Sequence, residues 1–317
     1  MEQNSILPEP ELDLRSAKML GVRSWWSKRK LVGYCLYVVV ISLAYCEPLV
    51  ALVQYALKEE LHSHLLLIPL VSVYLASLKR DSLPQDWRGG VAGSVIGSLI
   101  FAGLAAAVFF GPTLAGAEPL GHRDAMVQTS ACYALLLVAG GFLFLGTSWM
   151  RELVFPFVLL VFMVPLPDPV VVGLENFLMK ASAEVAHWFF LWTGTPVFRN
   201  GQVMELPGMT LEVARNCSGV RSTLVLFITS LIASYMFLSS PWHRGILVAM
   251  VIPLGILRNA ARVLVLGLLC VHVRPEMIDS WIHHRGGPLF FAASLIPLFA
   301  TAAWFRHREK AVVVRGD

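Results

Sequence analysis

The sequence predicts an all-α, polytopic membrane helix bundle of about eight transmembrane helices, with a short extracytoplasmic β-hairpin. Hydrophobic residues make up 56% of the chain and charged residues only 15%, a composition too apolar for the surface of a soluble protein. Several apolar runs approach the roughly 20 residues that a helix needs to cross a bilayer. The net charge is only +4, and no basic stripe interleaved with aromatic residues is present, so nucleic-acid binding is excluded.

The apolar runs define the predicted spans and a simple domain organisation. Residues 1–30 are expected to form a cytoplasmic segment, residues 31–305 one integral membrane domain, and residues 306–317 a cytoplasmic tail. The first run carries a candidate break at Glu47-Pro48. The predicted spans are 31–57, 64–79, 89–111, 126–148, 152–167, 217–238, 243–270 and 288–305.

The distribution of Lys and Arg predicts the orientation of these spans. Basic residues precede the first span, follow the second, fourth and sixth, and close the chain, which places those segments in the cytoplasm. The stretch 170–194 carries charged residues at helical spacing between apolar ones, typical of an amphipathic helix at the membrane interface. If 170–194 crossed the membrane, the basic C-terminal segment would lie outside. We therefore expect an interfacial or re-entrant helix, with 195–215 and 271–286 on the outer side.

A β-hairpin is predicted just before the sixth span. Two short alternating runs flank Asn200-Gly201, a dipeptide that favours tight hairpin turns. The hairpin would rest on the outer face and lead the chain to Cys217. A plain connecting loop is the alternative.

Three polar positions interrupt the apolar C-terminal half: Cys217 opens a span, Arg262 lies inside the next one, and the His283-His284 pair follows it. A thiol, a guanidinium and an imidazole at one membrane face can supply a nucleophile, a charge stabiliser and a proton carrier. The remaining cysteines have apolar surroundings and are interpreted as buried core thiols: Cys35, Cys46, Cys132 and Cys270.

Two arginines, Arg221 and Arg262, support a reactive thiol at Cys217. A helix N-terminus or a nearby cation stabilises a thiolate, and Arg221 would lie one helical turn after Cys217. An arginine inside a span costs at least about 2.5 kcal/mol on insertion scales, so Arg262 is a functional candidate, with a snorkelling structural arginine as the alternative. Arg258 shares its helix face, and we expect it to pack against an acidic or carbonyl partner.

Four patches of the sequence resemble the exosortase family. They are His62-Ser63-His64 running into Pro69, the segment Pro196–Pro207, Leu211–Ser222 around Cys217-Ser218-Gly219, and Asn259–Val263 followed by His283 before Gly287. The resemblance implies that Cys217 is the nucleophile, Arg262 the stabilising arginine and His283 the proton donor. Neighbouring residues expected to support the site or contact substrate are Asn259, Arg221, Arg258, His284, His64, Ser218 and Gly219. For His64, packing is an equal alternative.

The same resemblance implies a membrane cysteine peptidase and transpeptidase on the outer side of a bacterial cytoplasmic membrane. Its substrates would be exported single-span proteins that end in a short motif such as Pro-Glu-Pro, one hydrophobic helix and a basic tail, often linked to exopolysaccharide production. The expected partners are these tails and membrane lipid, with the acceptor nucleophile unspecified. No cofactor and no metal are expected.

Two alternatives from other classes remain open at this point. A transporter or channel would also place His and Arg inside a bundle, although no inverted repeat is visible. A metal site is the second, although its spacing matches no zinc motif. Its ligands would be drawn from His283, His284, Cys217, Cys270, Glu276 and Asp279.

Overall fold

The computed structural model divides into two compact units, an N-terminal unit of Met1–Pro165 and a C-terminal unit of Leu166–Asp317. The single integral domain expected over 31–305 stays a prediction. The structure describes residues 29–84, 91–114, 116, 121–212, 219–274, 276–277 and 286–315.

The N-terminal unit is built from α-helices joined by short 3-10 and π segments. Its 3-10 segments are Glu60–Leu66, Arg80–Ser82 and Leu160–Met163, and its π segment is Gly141–Leu145. Its α-helices are α1 (Arg29–Ala44), α2 (Cys46–Lys58), α3 (Leu67–Leu78), α4 (Val91–Leu114), α5 (His122–Gly140), α6 (Thr147–Glu152) and α7 (Val154–Leu159).

Proline explains two breaks in this unit. Pro48 and Pro156 are each the third residue of a helix, where a missing N–H is tolerated. A proline cannot bond the carbonyl four residues earlier, and those residues, Ala44 and Glu152, are the last residues of α1 and α6. The first predicted span is therefore bent by 78° between α1 and α2. The predicted span 152–167 is helical over Val154–Met163, which is apolar and long enough to count as a span only together with Asp168–Trp192.

Helix α1 packs against α5 through tyrosines. The hydroxyl of Tyr34 donates to the Leu137 carbonyl at 3.1 Å, and that of Tyr37 donates to the Leu136 carbonyl at 2.9 Å. A Cβ at Gly140 would lie 2.1 Å from Tyr37 Cε1, so only glycine permits this approach. These contacts fix α1 on α5 within the N-terminal unit.

In the residues that the structure describes, the C-terminal unit combines five α-helices with a three-stranded antiparallel sheet of order β1-β2-β3. The strands are β1 (Phe198–Asn200), β2 (Val203–Leu206) and β3 (Met209–Glu212). The helices are α8 (Asp168–Trp192), α9 (Val220–Phe237), α10 (Pro241–Ala249), α11 (Val251–His272) and α12 (Gly287–Arg315).

The predicted hairpin is confirmed and is one strand longer than expected. Gly201 has a φ of +65° and is the first of two loop residues between β1 and β2, the glycine position of a type II′ turn. The second turn is Pro207-Gly208, where Gly208 has a φ of +80°, as the third residue of a type II turn requires. This Pro-Gly signal marks the third strand, which the interpretation of the sequence missed.

The helix expected over 170–194 is present as α8, and it packs closely on α11. One face of α8 is buried, whereas Lys180 and Glu184 are exposed on the other. A Cβ at Gly267 of α11 would lie 2.5 Å from Phe190 Cζ, so glycine is what lets Phe190 reach the α11 backbone. The core of this contact includes the sheet and consists of Met179, Ala183, Ala186, Phe190, Met204, Leu206, Leu211, Ala260, Val263, Leu266 and Cys270.

A carboxylate fastens α12 to the start of α10. Glu309 accepts hydrogen bonds from the backbone N–H groups of Ser239 and Ser240, at 2.7 and 3.0 Å, and lies 2.8 Å from His243 Nδ1. The His243 ring stacks on Phe305, with ring centroids 4.5 Å apart. Glu309 thus acts as an N-terminal cap for α10, whose own N-cap residue, Ser240, makes no side-chain cap hydrogen bond.

Within the described residues, six helices are long and apolar enough to cross a membrane, or up to eight if each of two bent helix pairs is one span. The predicted bundle of about eight transmembrane helices is therefore confirmed. The bent pairs are Arg29–Ala44 with Cys46–Lys58 and Val154–Met163 with Asp168–Trp192. The six single helices are Leu61–Leu78, Val91–Leu114, Arg123–Leu145, Val220–Phe237, Pro241–His272 and Gly287–Ala311.

Candidate active site at the start of helix α9

Helix α9 begins at Val220, and its N-cap, Gly219, has a left-handed backbone conformation with a φ of +74°. A Cβ at this position would lie 3.0 Å from Arg258 Nη2 and 3.4 Å from Asn259 Oδ1. Glycine is therefore required twice, for the backbone conformation and for the close approach of α11.

Arg258 of α11 holds the start of α9. Its Nη2 donates to the Gly219 carbonyl at 3.1 Å and to Thr223 Oγ1 at 3.2 Å, and the side chain is only 9% exposed. The same carbonyl accepts the Thr223 N–H at 2.9 Å and the Ser222 hydroxyl at 3.1 Å. The carbonyl partner expected for Arg258 is thus the Gly219 oxygen, which accepts three hydrogen bonds, one from Arg258 of α11 and two from the first turn of α9.

 A fourth hydrogen bond, from Arg258 Nη2, ends on the Thr223 hydroxyl. Together these bonds hold the first turn of α9 against α11.

The helices α9 and α11 approach each other closely beside this anchor. A Cβ at Gly255 would lie 2.7 Å from Thr223 Oγ1, so a larger residue at 255 would force the helices apart. Gly255 lies three residues before Arg258 on α11, close to one helical turn. Small residues are common where helices cross in membrane proteins. The interpretation of the sequence missed Thr223 and Gly255, which this pattern could have identified.

Asn259 reaches the same place from the next position of α11. Its side chain is 3% exposed, and its Cγ would lie 3.5 Å from a Cβ at Gly219. Two buried nitrogen atoms here, Arg258 Nη1 and Asn259 Nδ2, have no hydrogen-bond partner in the part of the chain that the structure describes. Buried N–H groups without acceptors are rare in native structures, so each calls for an explanation.

Arg262 follows Arg258 by four residues, which places both on one face of α11. It is half-buried, in contrast to the almost fully buried Arg258. The structure thus brings together Gly219, Arg258 and Asn259, with Arg262 one turn further along the same face.

The other predicted site residues have different placements. Arg221 is exposed in the first turn of α9, which begins at Val220. Its expected helical relation to Cys217 stays a prediction. The predicted residues Cys217, Ser218, His283 and His284 lie outside the described residues.

His64 belongs to the N-terminal unit, in the 3-10 segment Glu60–Leu66. Its side chain is buried, and its Nδ1 lies 3.1 Å from the Leu61 carbonyl oxygen. The His62 ring lies beside it, with ring centroids 6.4 Å apart. This burial favours packing, and substrate contact by His64 stays a prediction.

The four other cysteines divide into two pairs. Cys132 and Cys270 are buried, as predicted for core thiols, whereas Cys35 and Cys46 are exposed, so that prediction is wrong for them. The reason is that apolar neighbours predict a helix in a hydrophobic environment, which in a membrane protein includes faces turned away from the bundle.

The described residues contain no group of three or more His, Cys, Asp or Glu side chains placed to hold a metal ion. Cys270, one of the ligands weighed for a metal site, lies in the apolar core between α8 and α11. The remaining ligands weighed for that site include Cys217, His283, His284 and Asp279, which lie outside the described residues.

Comparison with known proteins assigns the class and then the family. The model of the transmembrane exosortase family matches residues 56–300, most of the chain. The chain is a multi-pass membrane protein of the exosortase type, and it belongs to the transmembrane exosortase family. No curated protein and no solved structure matches it.

Proposed function

We propose that this protein is a membrane cysteine peptidase and transpeptidase that cleaves the C-terminal sorting signal of exported proteins. The observation that carries the proposal is the fixed start of α9, where Arg258 and Asn259 of α11 converge on Gly219. Cys217 precedes Gly219 by two residues, and two residues of chain span at most about 7 Å. Chain connectivity therefore limits the distance between Cys217 and the start of α9, and this supports a nucleophilic thiol there.

The chemistry follows from the three side chains. The thiolate of Cys217 attacks the carbonyl carbon of a peptide bond just outside the substrate's transmembrane helix, and a new C–S bond forms. The carbonyl π electrons move to oxygen, where Arg262 stabilises the negative charge. When the C–N bond breaks, His283 protonates the departing amine, and a thioester acyl-enzyme remains. Water or an acceptor amine then resolves the thioester.

We place this reaction on the extracytoplasmic side of a bacterial cytoplasmic membrane. The proposal is supported by the Lys and Arg distribution, which assigns the termini to the cytoplasm. Eight spans, with each bent helix pair counted as one, keep both termini on the same side. The segment before α9 and the segment between α11 and α12 then lie together on the opposite side.

The substrates we propose are exported single-span proteins whose C-terminal tails join a short motif such as Pro-Glu-Pro, one hydrophobic helix and a basic end. Family membership and the outer-face placement of the site support this choice. An enzyme embedded in the same bilayer as its substrate meets the scissile bond at a constant depth, because the substrate's apolar helix fixes that depth. Membrane lipid is therefore the second partner.

The test is a co-expressed reporter protein that ends in such a tail. Cys217→Ala and Cys217→Ser should abolish processing, measured as the size of the reporter on an immunoblot, because neither side chain forms a thioester. Cys35→Ser is the matched control: it removes an exposed thiol elsewhere and should process the reporter as the wild type does. Wild-type processing by Cys217→Ala would end the cysteine mechanism.

A further inference from the structure

Two buried N–H donors of α11 lie at the start of α9 without an acceptor among the residues that the structure describes. Arg258 is 9% exposed and Asn259 is 3% exposed, and neither Arg258 Nη1 nor Asn259 Nδ2 has a partner among the described residues. Leaving a buried donor unsatisfied costs about 1–3 kcal/mol. A pair of such donors in one place indicates a site for an acceptor that arrives from elsewhere.

The two donors have little freedom to move. The guanidinium of Arg258 is planar, and its Nη2 already bonds the Gly219 carbonyl and the Thr223 hydroxyl, so the direction of Nη1 is fixed. Asn259 is buried against the same glycine, with Cγ 3.5 Å from the position that a Cβ at Gly219 would take. Because Gly219 has no side chain, both residues of α11 can approach the start of α9 this closely.

We propose that Asn259 Nδ2 and Arg258 Nη1 are oxyanion donors of the active site. The inference rests on the proposed cysteine peptidase function and adds two directed donors to the charge of Arg262. When the Cys217 sulfur bonds to the substrate carbonyl carbon, the carbonyl oxygen gains the electron pair of the C=O π bond. That oxygen accepts hydrogen bonds from the N–H groups of Asn259 and Arg258 until the C–N bond breaks and the C=O bond re-forms.

Physical chemistry favours this role over a structural one. The anchoring of α9 uses Nη2 of Arg258, so Nη1 and the Asn259 amide add no hydrogen bond to the described fold. Donors that are buried and already oriented stabilise developing charge well, because no reorganisation is needed when the charge forms. An amide N–H also forms a stronger hydrogen bond to a negatively charged oxygen than to a neutral carbonyl oxygen. The donor therefore stabilises the transition state more than the bound substrate, as catalysis requires.

The experiment replaces the Asn259 amide in two ways. Asn259→Leu keeps the branched shape without any N–H, and Asn259→Asp keeps the size but puts an acceptor where the donor was. Both variants should process the co-expressed tailed reporter about 100-fold more slowly than the wild type. The thermal unfolding midpoint in detergent should not fall for Asn259→Leu, because the lost amide N–H bonded nothing in the described structure. The control is Ser230→Ala, which alters a fully buried polar residue on the neighbouring helix α9 and should leave reporter processing unchanged.

A second measurement separates catalysis from substrate binding. Cys217→Ala and the double variant Cys217→Ala/Asn259→Leu should co-purify with equal amounts of uncleaved reporter, since an oxyanion donor acts after binding. Wild-type processing by both Asn259 variants overturns the inference, and so does a loss of processing matched by a loss of reporter binding or of thermal stability. These results are distinct from failure of the proposed function, which shows as processing by Cys217→Ala itself.

Discussion

Arg258 and Arg262 lie one turn apart on α11, but their surroundings differ. Arg258 is almost fully buried and bonded to the Gly219 carbonyl and the Thr223 hydroxyl, whereas Arg262 is half-buried. The bonded Nη2 of Arg258 fixes the start of α9, so we assign to Arg258 one directed donor, its Nη1. We assign the main charge-stabilising role to Arg262, which is the more exposed of the two.

Substitution of Arg262 by lysine should be poorly tolerated. An ammonium keeps the positive charge but is a point charge that cannot reproduce the planar fork of a guanidinium. We expect Arg262→Lys to lower the rate of reporter processing about 100-fold or more while the protein remains folded. Initial rates and thermal unfolding of the purified variant provide the check, and near-normal rates would contradict the assignment.

The two adjacent histidines should differ in effect. His283→Ala should lose activity, because no group then protonates the departing amine, whereas His284→Ala should change the rate much less. Initial rates of reporter processing by the two variants test this. Activity in His283→Ala with none in His284→Ala would move the assignment by one residue.

At the scale of elements, the start of α9 depends on a single glycine. Gly219→Ala forces a Cβ into a left-handed conformation, at a cost of about 1–2 kcal/mol, and against Arg258 Nη2 at 3.0 Å. We expect a lower thermal unfolding midpoint and loss of reporter processing. Gly245→Ala in α10 is the matched control, because nothing lies within 4 Å of its Cβ, and alanine in a helix should stabilise by roughly 0.5–1 kcal/mol. Equal effects of the two substitutions would refute this account of α9.

The elements that were predicted correctly have a signal that extends over a whole segment, whereas the features that were missed depend on one or two residues. Long apolar runs predicted α4, α9 and α11, because length and hydrophobicity are properties of the whole segment. Pro156, however, separates α6 from α7 through one missing N–H, which the apolar content of the segment does not indicate. The Pro207-Gly208 turn was equally local, and it adds a strand that the hairpin interpretation left out.

The candidate site was predictable in part. Asn259, Arg258 and Gly219 were singled out from the sequence, and the structure places them in contact. The partners of Arg258 were not predictable, because the Thr223 hydroxyl comes from another helix and depends on the close crossing at Gly255. Long-range contacts of this kind arise from packing between helices, for which sequence spacing within one helix gives no information.

For the whole molecule, the charge distribution predicts which segments face outward. Single cysteines introduced into 195–215 or 271–286, in a background without the native cysteines, should react with a membrane-impermeant maleimide in intact cells. Cysteines at 306–317 should react only after the membrane is opened. The reason is the positive-inside bias of the short loops. Protection of both outer segments together with labelling at 306–317 would invert the orientation.

The carboxylate that caps α10 has a consequence for biosynthesis. Glu309 is separated by 70 residues from Ser239 and by 69 from Ser240, the backbone groups that it satisfies. Translation adds about 5–20 residues per second, so Glu309 is synthesised several seconds after the N–H groups that it accepts hydrogen bonds from. The turn between α9 and α10 therefore reaches its final hydrogen bonding only after α12 has been made and inserted, and the maturation of this unit ends with the docking of its last helix.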